Sequence, residues 1–346
     1  MIKPRPLRRG DKVAAVTLSW GGPGAFPHRY EVGREQLEEA LGVQVVETKH
    51  ALADPEWIYR NPRARADDLM EALIDPSIRA IVSTIGGDDS VRVLPHIDLD
   101  TIRANPKIFM GYSDTTMTHM AFYKAGVTSF YGPSVMAGFA ENAGTFQYMV
   151  DSIRRTLFRA EPIGVIAPNR GGWTVEHLDW GSPENQTSPR KRQPSTPWRF
   201  LGPDTAVRGP LVGGCADSLE ILKGTPYFPS PTVWDDAILF LEMSEAARPP
   251  EQLQDWLRSY GTLDVLRRLG GILFGRPGGG IPQEDFVTYD DVLLRVLEEF
   301  GAHDVPIVTN MDFGHTDPMF VIPYGIEAEI DPTRETVRLV TNAVED

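Results

Sequence analysis

Residues 107–118, KIFMGYSDTTMT, run from a short apolar segment through a Gly-Tyr-Ser-Asp turn into the first turn of a helical pattern. Upstream, residues 78–89 (IRAIVSTIGGDD) carry a β-branched strand signal that ends abruptly in Gly86-Gly87-Asp88-Asp89. Working outward, further strands are expected at residues 12–18 (KVAAVTL) and 43–48, and helices at 29–41, 64–74 and 115–125. Strands that alternate with helices build βαβ units around a mainly parallel sheet. In such sheets ligands bind outside the carboxyl ends of the strands, so the two Gly-containing turns are expected to face one crevice.

The pattern changes beyond residue 160. Residues 169–203 hold two glycines in a row, several prolines and three tryptophans, Trp173, Trp180 and Trp198, with little periodicity, the mark of a functional loop or linker. Strand-like runs follow at 237–241, 271–274, 306–309 and 319–330, with helices at 250–260 and 292–300. The expected fold is therefore α/β: an N-terminal mainly parallel sheet with flanking helices plus a second C-terminal α/β domain, with the site at their interface. The expected division is an N-terminal domain over 1–165, a Trp-containing linker over 166–204 and a C-terminal domain over 205–346.

Composition narrows the function. The 346 residues are 41% hydrophobic and 24% charged, which is globular and not disordered. The net charge of −14 argues against a nucleic-acid-coating protein. No apolar run approaches the ~20 residues that span a bilayer, and the start, MIKPRPLRRGDKVAAVTLSW, lacks a signal-peptide core. A cytoplasmic enzyme or ligand binder without membrane or nucleic-acid partners is expected. The single cysteine, Cys215, excludes an internal disulfide framework and any Cys-based zinc cluster. No histidine neighbours Asp88 and Asp89, and no metal-binding motif occurs, so neither metal nor cofactor is expected.

Ser113 is the leading candidate for chemistry. A serine between a strand and a helix presents its hydroxyl outward, next to an amide at a helix N-terminus that could stabilise an oxyanion. Helix capping is the competing role, and Thr115 stands where G-x-S-x-G would need its second glycine. A serine nucleophile needs a base. His119 lies on the same helix, nearly two turns away and poorly placed. His315, in the Gly/Pro-bounded loop DFGHTDP (312–318), is better presented, although a solvated turn residue would read the same. Glu242, closing the apolar run AILFLE, could orient that base or simply end a strand at solvent. The order Ser, Glu, His is compatible with acyl transfer. Trp180 and Trp198, near Arg190, Lys191 and Arg192, could stack on a base or tether the long loop to the body.

Taken in order, these features resemble the LD-carboxypeptidase and microcin C self-immunity (MccF-like) family of serine peptidases. The resemblance rests on R-A-x-D-L at 65–69, A-I-V-S-T-I-G-G at 80–87, G-Y-S-D at 111–114, F-Y-G-P at 130–133 and L-V-G-G at 211–214. It continues through G-T-P-Y at 224–227, L-F-L-E at 239–242, G-I-L-F-G at 271–275, Gly314-His315 and I-P-Y-G at 322–325. It implies Ser113 as nucleophile, His315 as general base, Glu242 as its orienting carboxylate, and an oxyanion hole from the Gly87 and Asp114 amides. It also implies a homodimer, no cofactor, and a small peptide or peptide-nucleotide substrate. The Trp-containing segment is similar to the microcin-immunity branch, where Trp180 and Trp198 would stack on a nucleotide portion. Murein-tetrapeptide LD-carboxypeptidase activity is the alternative reaction, and a ligand binder that has lost catalysis the alternative class. Cys215 stands where the family often has asparagine.

Overall fold

In the computed structural model, which describes residues 1–346, the apolar runs of the first half form β1 (Lys12–Val16), β2 (Gln44–Glu47), β3 (Ile78–Ser83), β4 (Ile108–Gly111) and β5 (Phe130–Tyr131). The second half supplies β6 (Gly164–Val165), β7 (Arg199–Leu201), β8 (Val207–Cys215), β9 (Ile238–Glu242) and β10 (Gly271–Gly275). It ends with β11 (Ile307–Met311), β12 (Ile322–Pro323), β13 (Glu327–Asp331) and β14 (Thr336–Leu339). The α/β expectation is met, with two sheets.

The first sheet has the order β12-β5-β4-β3-β1-β2. Every pair from β2 to β5 is parallel, and β12 runs antiparallel on β5. β4 is buried throughout and β3 nearly so, because helices cover both faces of a parallel sheet and leave no wet side to alternate towards. Helices Pro27–Leu41, Pro62–Ile74, Leu99–Ala104 and Thr116–Ala125 make the connections. Two of them stop at Gly42 and Gly126, whose left-handed backbone ends the helix.

The second sheet has eight strands in the order β6-β14-β13-β8-β9-β10-β11-β7. Its centre, β8 to β11, is parallel and is connected through helices Ala216–Leu222, Pro250–Thr262 and Phe286–Glu299. Its flanks are antiparallel. One apolar core runs through both sheets, with Tyr131, Phe240 and Tyr324 packed at centroid distances of 5.0–6.5 Å where they meet.

The expected domain division needs correcting at three strands. β6 lies within residues 1–165 yet belongs to the second sheet, and β7 gives the expected linker a strand, paired with β11. β12, from the C-terminal half, completes the edge of the first sheet. Each of these strands has only two or three residues, too few to show a period. No helix is long and apolar enough to cross a membrane.

Candidate active site

Ser113 sits where β4 stops and the chain turns into helix Thr116–Ala125, with a left-handed φ of 63°. A non-glycine residue held there stores about 1–3 kcal/mol, so surrounding contacts must fix it. Its N–H donates to the Tyr131 hydroxyl at 3.1 Å. The next residue, Asp114, is buried, and its carboxylate accepts from Ser19 Oγ at 2.6 Å and the Ser90 N–H at 2.8 Å. Burial raises the Asp114 pKa, with those hydrogen bonds acting against the shift. The R-A-x-D-L signature secures the neighbouring loop. Buried Arg65 forks onto Asp89 at 2.8 and 3.1 Å and donates to the carbonyls of Leu18 and Ser19. Asp89 is thereby spoken for by a guanidinium, which explains one of the two adjacent aspartates.

The other sheet brings the candidate base. Glu242 is the last residue of β9 and fully buried, and His315 lies on the loop after β11. Gly314 between them has φ +94°, and a Cβ there would fall 2.6 Å from the Cβ and Oε2 of Glu242, so only glycine permits the approach. His315 Nδ1 meets Glu242 Oε2 at 2.7 Å, and Nε2 meets Ser113 Oγ at 2.9 Å. The Tyr131 hydroxyl donates to the remaining Glu242 oxygen, Oε1, so one phenol anchors both the serine turn and the carboxylate. His119 is otherwise engaged: Ser129 Oγ and the Gly111 carbonyl hold its two nitrogens, and burial lowers its pKa to about 3.

Burial alone would lower the His315 pKa. The charge and hydrogen bond of Glu242, with a further contribution from Glu245, outweigh burial and raise it to about 10. Glu245 Oε2 lies 3.0 Å from Nε2, and the hydrogen bond from His315 brings the Glu245 pKa down to about 2. Glu245 is 76% exposed, so water screens it, and buried Glu242 is the stronger influence.

Gly87 and Ser113 line one cavity of about 600 Å³. Its φ of +148° and a would-be Cβ 2.3 Å from Ser19 Oγ demand glycine, and its N–H has no acceptor within the protein. The same cavity is lined by Trp20, Arg29, Tyr112, Trp180, Arg190 and His315. Trp180 carries the Arg29 guanidinium 4.1 Å above its ring. Burial, then the nearby Arg190 charge, lowers the Arg29 pKa to about 10, which leaves it a cation at neutral pH. Trp198 corrects the expectation of a second stacking surface. It is buried away from the cavity, its indole N–H donating to Asp312 Oδ2 at 2.8 Å. Asp312 also binds buried Arg276 at 2.7 Å and the Asn169 N–H at 3.0 Å, so Trp198 tethers the long loop to the loop carrying His315.

Cys215, Glu242 and His315 place potential metal ligands within 4.8 Å of one another. Their chemistry fits a metal poorly. Burial, with the Glu242 and Asp217 charges, holds the Cys215 thiol well above its usual pKa, and a metal-ligating cysteine must be a thiolate. Nδ1 and Glu242 Oε2 already satisfy each other.

Residues 13–132 match the family model of the LD-carboxypeptidase N-terminal domain, and residues 208–330 that of the C-terminal domain. The chain belongs to the LD-carboxypeptidase family. Over 346 residues, 98% of both chains, it is 30% identical to a Vibrio cholerae protein that carries a carboxypeptidase name. It is 29% identical to the Microcin C7 self-immunity protein MccF of Escherichia coli, with 94% of this chain and 92% of that one covered. An MccF-like protein from Streptococcus pneumoniae, solved in complex with AMP, superposes with a TM-score of 0.83 at 28% identity, covering 96% and 99% of the two chains. The family supports a serine hydrolase and spans microcin immunity and murein-peptide carboxypeptidases.

Within this LD-carboxypeptidase-family site, sequence reading left Tyr131, Glu245 and the Arg276–Asp312 pair without a role. F-Y-G-P marked Tyr131 as part of a pattern but gave no partner. Arg276, adjoining G-I-L-F-G, is the one signal that could have been followed, since an arginine at the tip of a buried strand demands a carboxylate.

Proposed function

We propose that the protein is a serine amidase of carboxypeptidase type that hydrolyses a peptidyl- or aminoacyl-nucleotide conjugate through an acyl-enzyme, serving detoxification or self-immunity. The observation that carries the reading is the unbroken hydrogen-bonded series from Ser113 Oγ through His315 to Glu242, opening on the cavity that holds Trp180 and Arg29. In this reading Ser113 Oγ attacks the scissile carbonyl as its proton passes to neutral His315 Nε2. The amides of Gly87 and Asp114 receive the oxyanion. Nε2 returns the proton to the departing nitrogen as the C–N bond breaks. It then takes a proton from water, which attacks the ester carbonyl, and gives that proton to Ser113 Oγ as the ester C–O bond breaks and the acid is released. Glu242 orients the ring and stabilises the imidazolium between these transfers. Trp180 is the platform for the base and Arg29 the cation for the phosphate-like linkage, in keeping with the MccF relative and the AMP-bound neighbour. A cytoplasmic homodimer is part of the proposal, checked by fractionation and light scattering.

The test offers the protein an aminoacyl sulfamoyl adenosine and a murein tetrapeptide, with products separated chromatographically. Hydrolysis of the adenosine conjugate is expected, abolished by Ser113→Ala and weakened chiefly in KM by Trp180→Ala. Cleavage of the tetrapeptide alone would replace this reading with cell-wall peptide trimming. Tight binding of the conjugate without turnover, and without acylation of Ser113, would make the protein a binder.

A further inference from the structure

Nε2 of His315 has two acceptors within reach, Ser113 Oγ at 2.9 Å and Glu245 Oε2 at 3.0 Å. The chemistry proposed above uses only the first. While Glu245 holds that N–H, the imidazole keeps its proton and the serine has no base. The other groups facing the ring do not compete. Glu242 is committed to Nδ1, the Tyr112 phenol and Cys215 thiol are held neutral by burial, and Asp317 is paired with Arg190 at 2.7 Å. Glu245 differs from all of them because it is solvent-exposed and belongs to the loop just after β9.

Glu245, like Ser113 and Gly87, also borders a second cavity, of about 340 Å³, whose wall does not include Trp180. If the nucleotide portion occupies the Trp180 side, this second space receives the acyl portion. Its wall includes Asp88, Asp114, Cys215, Asp217 and Arg248. Arg248 is cancelled by Asp217 at 2.8 Å, and the Asp114 carboxylate is used by Ser19 and Ser90. Asp88 and Glu245 are left as surplus negative charge, an environment that favours a cation.

We propose that Glu245 is a specificity-determining residue: it binds a cationic amine on the acyl portion of the substrate, and in doing so leaves Nε2 free to accept the Ser113 proton. The proposal rests on the hydrolytic reading above and adds the acyl class to it. Substrate charge and activation of the base then become one event.

The test uses lysyl, norleucyl and glutamyl sulfamoyl adenosines, each with a free and an acetylated α-amine, against wild type, Glu245→Gln and Glu245→Lys. Wild type is expected to favour amine-bearing acyl groups about tenfold in kcat/KM over Nα-acetyl-norleucyl, the strength of a hydrogen bond to a charged group. Glu245→Gln should erase that preference, and Glu245→Lys should turn it towards Nα-acetyl-glutamyl. With the uncharged substrate, the acid limb of kcat/KM should move to lower pH in Glu245→Gln, because the free enzyme then holds its imidazole proton less firmly. A purely structural role would move neither the preference nor the limb. Equal turnover of all acyl groups, unchanged in both variants, would overturn the proposal and leave the hydrolytic reading standing. If no nucleotide conjugate is hydrolysed by wild type or bound by Ser113→Ala, that reading falls, and the same acyl groups on a D-alanine leaving group decide the role of Glu245.

Discussion

Replacing Tyr131 by phenylalanine removes one oxygen and tests whether the two sheets are coupled at the site. The ring is fully buried and packs on Phe240, so the substitution leaves no large void. What it removes is the acceptor of the Ser113 N–H and a donor to Glu242 Oε1. Both groups are then stranded in the interior, and each unsatisfied buried group costs about 1–3 kcal/mol. A stability loss of about 2–4 kcal/mol is expected from the pair, measured by denaturant unfolding. The serine turn, held at φ 63°, loses its anchor, and misplacement of a reacting group by about 1 Å lowers rates by about 100-fold. The loss should appear in kcat, since Tyr131 does not line the cavity that holds Trp180 and Arg29. Glu242, left with one donor fewer, pulls harder on the imidazole proton, so the acid limb of the pH profile should move upward. Turnover of the adenosine conjugate is read at a temperature where circular dichroism shows the variant folded. A kcat within twofold of wild type, with an unmoved acid limb, would refute the coupling.

Three further outcomes are expected. Gly87→Ala forces a Cβ to 2.3 Å from Ser19 Oγ and shifts the free N–H, so kcat should fall by about 10²–10³ and the melting temperature should drop with it; equal activity in the folded variant would remove Gly87 from the oxyanion hole. Arg276→Met leaves Asp312 charged and buried without its cation, which should cost about 3–5 kcal/mol by chemical unfolding, and Arg276→Met/Asp312→Asn, which removes the charge but keeps an acceptor for the Trp198 and Asn169 N–H groups, should recover part of it. The raised pKa of His315 makes the folded state bind its proton more tightly than the unfolded chain. That stabilisation is complete below about pH 6.5 and is lost as pH rises to about 10, at up to about 1.4 kcal/mol per pH unit, so His315→Asn should flatten the decline that wild type shows across this window.

The parallel strands β3 and β4 were legible because strands buried on both faces read as apolar runs, and the Gly-containing turns after them fixed where a site would lie. β8 was not, because Gly209, Pro210, Gly213 and Gly214 interrupt its apolar pattern. Ser113, Glu242 and His315 could each be suspected locally. Their meeting depends on contacts separated by 73 and 202 positions, which no window of sequence contains. Trp198 misled because a tryptophan in a Pro-rich segment reads alike whether it faces a cavity or the core; its partner Asp312 lies 114 residues away. Glu245 carried no signal, since an exposed carboxylate in a loop is ordinary until a histidine nitrogen is found 3.0 Å from it.

The contacts that join the two sheets also indicate where adaptation to substrate can occur. Tyr131 of the first sheet bonds Glu242 of the second, Cys215 donates its N–H to Thr116 Oγ1 at 3.1 Å, and the Tyr324 hydroxyl donates to the Gly213 carbonyl at 2.9 Å. β12 is added at the edge of the first sheet although the chain that carries it belongs to the second half. Rocking one sheet against the other would break all of these buried bonds together, and each one left unsatisfied is costly. The groups at the cavities are attached differently. Glu245 stands in solvent, and Trp180 is held by side-chain packing against Phe26, His177 and Arg29, not by a sheet ladder. On the proposed reading these two kinds of attachment separate two tasks: the buried contacts hold Ser113 against His315, and the loops carrying Glu245 and Trp180 are where acyl and leaving groups would be selected.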